Sequence, residues 1–229
     1  EMLSEMLGEL NASHTGSGYR DQDAKGDETA ALGFYPDYGY TGKGVKVKAM
    51  MDKSPLVRLK QHITVGDIIQ KIDGEEVTGL EDYYIKMNHR KNQNTLLTVY
   101  SIETKKTYED VVKPISGGEE YDLAYQRWVK TRNDEVERLS GGKIGYVHVR
   151  GMNDESFRET YSDVLGKHAD KDALIVDTRF NGGGWLHDDL ATFLGGKPYA
   201  TFLPRGQNLG KEPLGKWYKP SVVLISESN

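Results

Sequence analysis

Cysteine is absent from this sequence of 229 residues, so it holds no disulfide framework, thiolate zinc site or thiol nucleophile. That absence suits a reducing and an oxidising compartment alike. No apolar run approaches the roughly 20 residues that a membrane-spanning helix needs. The opening residues run straight into a helical pattern without the charged, apolar and small-residue regions of a signal peptide, and so read as internal to a longer chain. Positive charge is also in deficit, with 30 Lys and Arg against 35 Asp and Glu, a formal net charge of −5. A phosphate-binding surface normally shows as a basic excess or stripe, so nucleic acid is not an expected partner. What is present is 37% hydrophobic, enough for packed cores in one or two domains.

Met2, Leu3, Met6, Leu7 and Leu10 recur at helical spacing while Glu1, Glu5 and Glu9 fill another face, which predicts a short amphipathic helix. It leads to Asn11-Ala12-Ser13-His14, an imidazole beside a hydroxyl, and then to a Gly-, Ser- and Asp-rich loop reaching Glu28. From about Gly33 to Ile115 the pattern is one of short strands and turns around one or two small helices. Val45, Val47 and Ala49 alternate as in a half-buried strand, and Val65–Gly74 reads as turn, strand, turn. Leu80, Tyr84 and Met87 mark a helix, and strands are expected at 95–101 and 107–112. With Gly-Asp-Ile-Ile at 66–69 and Ile-Asp-Gly at 72–74, this segment of about eighty residues resembles a PDZ domain. Such a fold captures extended peptides at a sheet edge, often with amides around the terminal carboxylate. Thr41-Gly42-Lys43-Gly44-Val45 is the nearest candidate for that carboxylate loop, and a spacer that orders the flanking halves is the alternative role.

Ser116-Gly117-Gly118 reads as a linker into a longer helix with Leu123, Tyr125, Trp128, Val129, Val136 and Leu139 at its apolar positions. Beyond it a strand at Ile144–Val149, a helix with Phe157, Tyr161, Val164 and Leu165, a strand at Ala173–Val176, a helix near Leu186–Leu194 and a strand at Val222–Ile225 alternate. Alternation of this kind predicts an α/β core on a parallel or mixed sheet. The turn Asn181-Gly182-Gly183-Gly184 falls just past the carboxyl end of a strand, where such sheets place binding sites.

Nearly the whole chain resembles the tricorn-type branch of the C-terminal processing peptidases. The resemblance is carried by Ser13-His14 after a short helix, the PDZ-like insert, Trp128-Val129, Gly142-Lys143-Ile144-Gly145-Tyr146-Val147-His148-Val149, and Leu174-Ile175-Val176-Asp177-Thr178-Arg179-Phe180-Asn181-Gly182-Gly183-Gly184. It implies a serine peptidase that forms an acyl-enzyme and uses no cofactor or metal. His14 would be the general base, Ser13 its polar supporter, and Gly183 or Gly184 the oxyanion donor. Phe202 stands near where an acidic specificity residue would be sought, which implies an apolar or broad cleavage preference rather than a basic one. In this register the nucleophilic serine falls just past Asn229, with Ser228 as the alternative, so the chain is expected to be an inactive part of a larger enzyme. The expected organisation is a helical cap segment at 1–28, a PDZ-like domain at 29–115 and the first part of the peptidase core at 116–229.

Other readings of the same residues remain open. His148 alternates with Tyr146 in a strand and reads as structural, while His187-Asp188-Asp189 reads as a solvated helix surface without metal-ligand spacing. The glycine turn could cradle a phosphate, although no P-loop or Gly-x-Gly-x-x-Gly pattern accompanies it. A noncatalytic peptide-binding or scaffold protein could be built from the same modules. For the peptidase, the expected partners are peptide or unfolded-protein substrates and, in the full-length protein, further copies of itself. The expected compartment is the cytoplasm, with the periplasm as alternative.

Overall fold

The computed structural model describes residues 2–10, 12, 15, 26–61 and 63–227. Ser13, His14 and Ser228 lie outside these residues. The chain divides into two compact units, Glu1–Glu120 and Tyr121–Asn229.

The first unit opens on helix α1 (Met2–Gly8), which buries none of its described residues and leaves Met2, Leu3 and Met6 exposed. Two short strands follow, β1 (Ala30–Ala31) and β2 (Phe34–Pro36), then β3 (Val45–Met50), β4 (Ile68–Ile72) and β5 (Glu75–Glu76). After helix α2 (Leu80–Lys86) come β6 (Thr95–Tyr100), β7 (Thr107–Val112) and β8 (Ile115–Ser116). An antiparallel sheet runs in the order β2-β3-β4-β6-β7, with β5 paired to β4, and β1 pairs separately with β8. Its core gathers Leu32, Phe34, Val47, Leu56, Ile69, Leu97 and Val99. Two-residue alternation explains β3, where Val45 and Val47 face inward and Lys48 faces solvent. Asp67 is buried and ties the turn before β4 together, accepting from the amides of Thr64 and Ile102 at 2.8 Å each.

Helix α2 departs from the expected stripe. Tyr83 is 3% exposed and Tyr84 42%, because the buried face runs Leu80, Tyr83, Met87 at three- and four-residue steps. Ser116-Gly117-Gly118, expected as a linker, is instead the end of β8 at Ser116 and the start of helix α3 (Gly117–Ser140). Ser116 Oγ accepts from the Glu119 amide at 3.2 Å and the Glu119 carboxylate accepts from the Ser116 amide at 2.8 Å, a reciprocal capping box. The two glycines lie inside that box, where the cap overrides their poor helix propensity.

In the second unit, β9 (Ile144–His148), α4 (Asp154–Ser162), β10 (Ala173–Asp177) and α5 (His187–Leu194) alternate, and the hairpin β11 (Ala200–Phe202) and β12 (Gly210–Glu212) precedes β13 (Ser221–Leu224). Strands β13, β10 and β9 form a parallel sheet in that order. Helix α4 starts where the Asn153 side chain accepts from the Ser156 amide at 2.9 Å. Val147, Val149, Leu174, Val176, Leu190, Phe193 and Trp217 build the core. Gly145 lets His168 pack on β9, since a Cβ there would lie 2.7 Å from the imidazole. The β11–β12 hairpin had no clear signal in the sequence, because its strands are three residues long and largely exposed.

Candidate active site

The parallel sheet delivers the glycine turn at the carboxyl end of β10, its middle strand. Asp177 closes that strand, fully buried, and gathers donors around it. Tyr146 Oη donates to it at 2.7 Å, the Arg179 amide at 3.0 Å, and the Arg179 guanidinium through Nη2 at 2.6 Å. Burial alone would raise the Asp177 carboxyl. The Arg179 and Tyr146 hydrogen bonds outweigh it and hold the group below the ordinary value. The same carboxylate raises the Arg179 guanidinium further, so the pair stays charged.

Past Arg179 the backbone reverses. Phe180 takes a left-handed conformation (φ 66°) and is exposed, with its ring edge-on to Trp128 at 6.3 Å. Asn181 is the clamp of the turn. It is buried, its Nδ2 donates to the Val149 carbonyl at 2.8 Å, and its Oδ1 accepts from the Gly183 amide at 2.9 Å. One side chain thereby ties the end of β9 to the glycine run. The Thr178 amide donates to the Leu224 carbonyl at 2.9 Å, tying the turn to the end of β13 as well.

Gly183 (φ 81°) and Gly184 (φ 147°) occupy backbone regions that favour glycine. The Gly183 N–H is already committed to Asn181, whereas the Gly184 N–H has no hydrogen-bond partner among the described residues. A Cβ on Gly184 would lie 2.6 Å from Met152 Cβ, so the backbone approaches its neighbour more closely than any side chain permits. Trp185 follows with 91% of its surface exposed, and Leu186 is buried before α5 begins. His187 lies 3.3 Å from the Gly184 carbonyl and 3.5 Å from Asp188.

Sequence reasoning placed His148 in a strand, and the structure gives it a position in a chain of contacts. Nε2 lies 2.9 Å from the Arg179 carbonyl and Nδ1 2.8 Å from Tyr125 Oη. A carbonyl can only accept, so Nε2 carries the proton and the Tyr125 hydroxyl donates to Nδ1. Burial pushes the Tyr125 hydroxyl up to about 12, and it remains a donor at neutral pH. The Trp128 ring meets His148 edge-on at 4.8 Å, and Arg132 stacks on Trp128 at 3.8 Å. Phe202 lies on β11 opposite Gly210, half exposed. Asn181 was not singled out from the sequence, although an Asn directly before a glycine run is a strong signal for a side-chain-supported turn.

Among the described residues no cluster of His, Asp and Glu is arranged to hold a metal ion, and no helix is long and apolar enough to cross a membrane.

Residues 143–229 match the family model of peptidase family S41. A tricorn-like protease C-terminal subunit of Sulfurisphaera tokodaii is 30% identical over 196 residues, which is 81% of this chain and 22% of that protein. A tricorn protease homolog of Saccharolobus solfataricus is 28% identical over all of this chain and 21% of its own length. The fold also matches the crystal structure of the tricorn protease with a TM-score of 0.74 at 24% identity, over 98% of this chain and 22% of that one. The chain thus spans about a fifth of the length of the curated relatives it matches. Residues 143–229 thus match peptidase family S41, and nearly the whole chain is similar to tricorn-type proteins in sequence and to the tricorn protease in fold.

Proposed function

We propose that this chain contributes the general base and the oxyanion donor of a serine peptidase acting through an acyl-enzyme. The observation that carries the reading is the Gly184 amide, unpaired among the described residues and held at the end of β10 by the Asn181 clamp. In this reading a serine that follows β13 attacks the peptide carbonyl carbon while His14 takes its proton. Negative charge then develops on the carbonyl oxygen, and Gly184 N–H donates to it. Gly183 is the weaker candidate, since its amide already serves Asn181. Loss of such a donor costs on the order of 3 kcal/mol in the transition state. His14 returns the proton to the departing amine, and water repeats the sequence to release the acid. Ser13 supports His14, and Phe202 contributes to an apolar or broad substrate preference.

Residues 29–115 form a PDZ-like module in this proposal, with 1–28 as a helical cap segment and 116–229 as the first part of the peptidase core. The antiparallel sheet with the short edge strand β2 beside α2 supports the module. The full-length protein would act on peptides or unfolded proteins in the cytoplasm, or alternatively in the periplasm, as an assembly of several copies.

The test compares this chain with a polypeptide extended beyond Asn229 through the expected serine. A serine-directed phosphonate should label the longer protein stoichiometrically and leave the present chain unlabelled and without peptide turnover. His14→Ala in the longer protein should slow acylation while leaving the fold intact by circular dichroism. Unchanged acylation in that variant, or labelling of the present chain at Ser228 with matching turnover, would overturn the assignment.

A further inference from the structure

Phe180 stands in a backbone region that bulky side chains avoid, with φ 66°. The Asn181 amide donates to the Thr178 carbonyl at 3.1 Å, so residues 178–181 form a β-turn with Arg179 and Phe180 at its centre. Arg179 is not left-handed, and a left-handed third position alone marks a type II turn, which ordinarily carries glycine or asparagine there. Types I and II differ in the orientation of the central peptide, here the one joining Arg179 to Phe180. In the type I form Phe180 would take an ordinary negative φ and the Arg179 carbonyl would point the other way. Strain of this kind persists only where the surroundings over-determine it.

His148 supplies the constraint. Its Nε2 donates to the Arg179 carbonyl at 2.9 Å, and so holds the one group whose direction separates the two turn forms. The other end of Arg179 is fixed as well, since its amide donates to Asp177 at 3.0 Å. A neutral imidazole donates from Nε2 only while Nδ1 is the acceptor, and Tyr125 Oη, 2.8 Å from Nδ1, favours that tautomer. Tyr125 is itself held, with the Arg150 guanidinium over its ring at 4.4 Å and Arg150 paired to Asp122 at 2.6 Å. Trp128 meets the His148 and Phe180 rings edge-on, at 4.8 Å and 6.3 Å, and closes the group against the turn. A half-buried histidine with both ring nitrogens engaged, one on a tyrosine and one on a strained turn, is more than packing requires.

We propose that His148 is a positioning residue for the glycine turn: in the Nε2–H tautomer set by Tyr125 it keeps the Arg179–Phe180 peptide in the type II orientation, and so fixes how the chain enters the Asn181 clamp and presents the Gly184 amide. The proposal rests on the reading of Gly184 as the oxyanion donor. A flip of the central peptide displaces the flanking residues only slightly, yet a misplacement of about 1 Å can cost about 100-fold in rate. His148 acts on the chemistry through the turn and not on the substrate.

The experiment has two arms. The first uses the whole 229-residue chain with isotope-labelled histidine, and reads the imidazole tautomer by long-range proton–nitrogen NMR at about pH 8, where an ordinary imidazole is neutral. His148 should carry its proton on Nε2, Tyr125→Phe should populate the Nδ1–H form, and the Gly184 amide resonance should move in His148→Leu but hold its place in His148→Gln, whose amide reaches the same carbonyl. The second arm uses the polypeptide extended through the expected serine. There His148→Leu should lower kcat about ten-fold or more with KM nearly unchanged, and His148→Gln should recover most of the loss. With Phe180→Gly, which accepts the type II turn without strain, the loss caused by His148→Leu should shrink to about two-fold. An Nδ1–H tautomer in the wild type, equal losses in the Leu and Gln variants, the same loss in both Phe180 backgrounds, or an effect on KM alone would overturn the proposal. Should His148→Leu fail to fold, an unchanged tautomer and kcat in Tyr125→Phe would overturn it equally. Absence of peptidase activity in every longer polypeptide would refute the acyl-enzyme reading, while the tautomer and the Gly184 resonance in the present chain would still decide whether His148 holds the turn.

Discussion

At the scale of single residues, the two neighbouring glycines of the turn are not equivalent. Gly183 has a left-handed backbone with open space where a Cβ would go, whereas Gly184 has a conformation nearly exclusive to glycine and a Cβ position 2.6 Å from Met152. Gly183→Ala should therefore cost about 1–2 kcal/mol of left-handed strain. Gly184→Ala should cost more, about 1–3 kcal/mol of strain plus the displacement of Met152, and urea unfolding should order the two midpoints accordingly. His168 gives a second residue-scale prediction. It is buried against Gly145 and neither ring nitrogen has a hydrogen-bond partner among the described residues. Burial first, and the nearby Lys167 charge second, lower its proton affinity from the ordinary 6.5, with Asp163 opposing and Lys171 reinforcing. The unfolded chain therefore binds the proton near pH 6.5 and the folded chain only at lower pH. Between those values the unfolded state holds more protons, so stability is complete above pH 6.5 and declines as pH falls toward the folded value. His168→Leu should flatten that part of the stability profile measured by denaturant titration, and an unchanged slope would show that another group is responsible.

At the scale of elements, the cap of α3 shows how a local rule redirects a segment that composition alone reads differently. Ser-Gly-Gly reads as a linker, but Ser116 followed three residues later by Glu119 is a capping box. Ser116→Ala should cost about 1 kcal/mol, while Gly118→Ala, whose Cβ meets only Ser116 Oγ at 4.0 Å, should stabilise by about 0.4–1 kcal/mol. Thermal unfolding of the two variants should move in opposite directions. Helix α2 carries a related lesson. Leu80 and Met87 were legible as core positions, and Tyr83 replaced Tyr84 because two adjacent tyrosines satisfy a helical stripe nearly equally until packing against Phe34 selects one. Strand β13 lies at the edge of the parallel sheet with Val222 and Val223 half exposed, a surface that invites pairing with another strand.

At the scale of the whole molecule, two separate cores serve two units, one assembled from residues between Ala30 and Val112 and the other between Val147 and Trp217. A unit with its own core is expected to fold alone. Residues 26–120 expressed by themselves should unfold in a single cooperative transition, and amides of Ile69, Leu97 and Val99, all fully buried, should be the most protected in hydrogen exchange. A noncooperative melt would mean that this core needs the rest of the chain.

The sequence by itself determined the alternation of strands and helices in the second unit, the short antiparallel strands of the first, and the position of the glycine turn after a strand. These rest on periodicity and on glycine's backbone freedom, which are local properties. It also carried the resemblance to tricorn-type proteins, through runs such as Asp177–Gly184 in which nearly every position is constrained at once: a buried carboxylate, its arginine, a clamp and two left-handed turns. Tertiary structure alone decided which amide of the turn is left unpaired among the described residues, because that depends on where the Asn181 side chain goes, and its second partner is Val149, 32 residues earlier. It likewise joined His148 to Tyr125 and to the Arg179 carbonyl, and set the Glu120 carboxylate on the Gly33 amide 87 residues away. Hydrogen bonds over such separations leave no periodicity in a single chain. They exist only once the packed cores have fixed the distances at which a donor meets its acceptor.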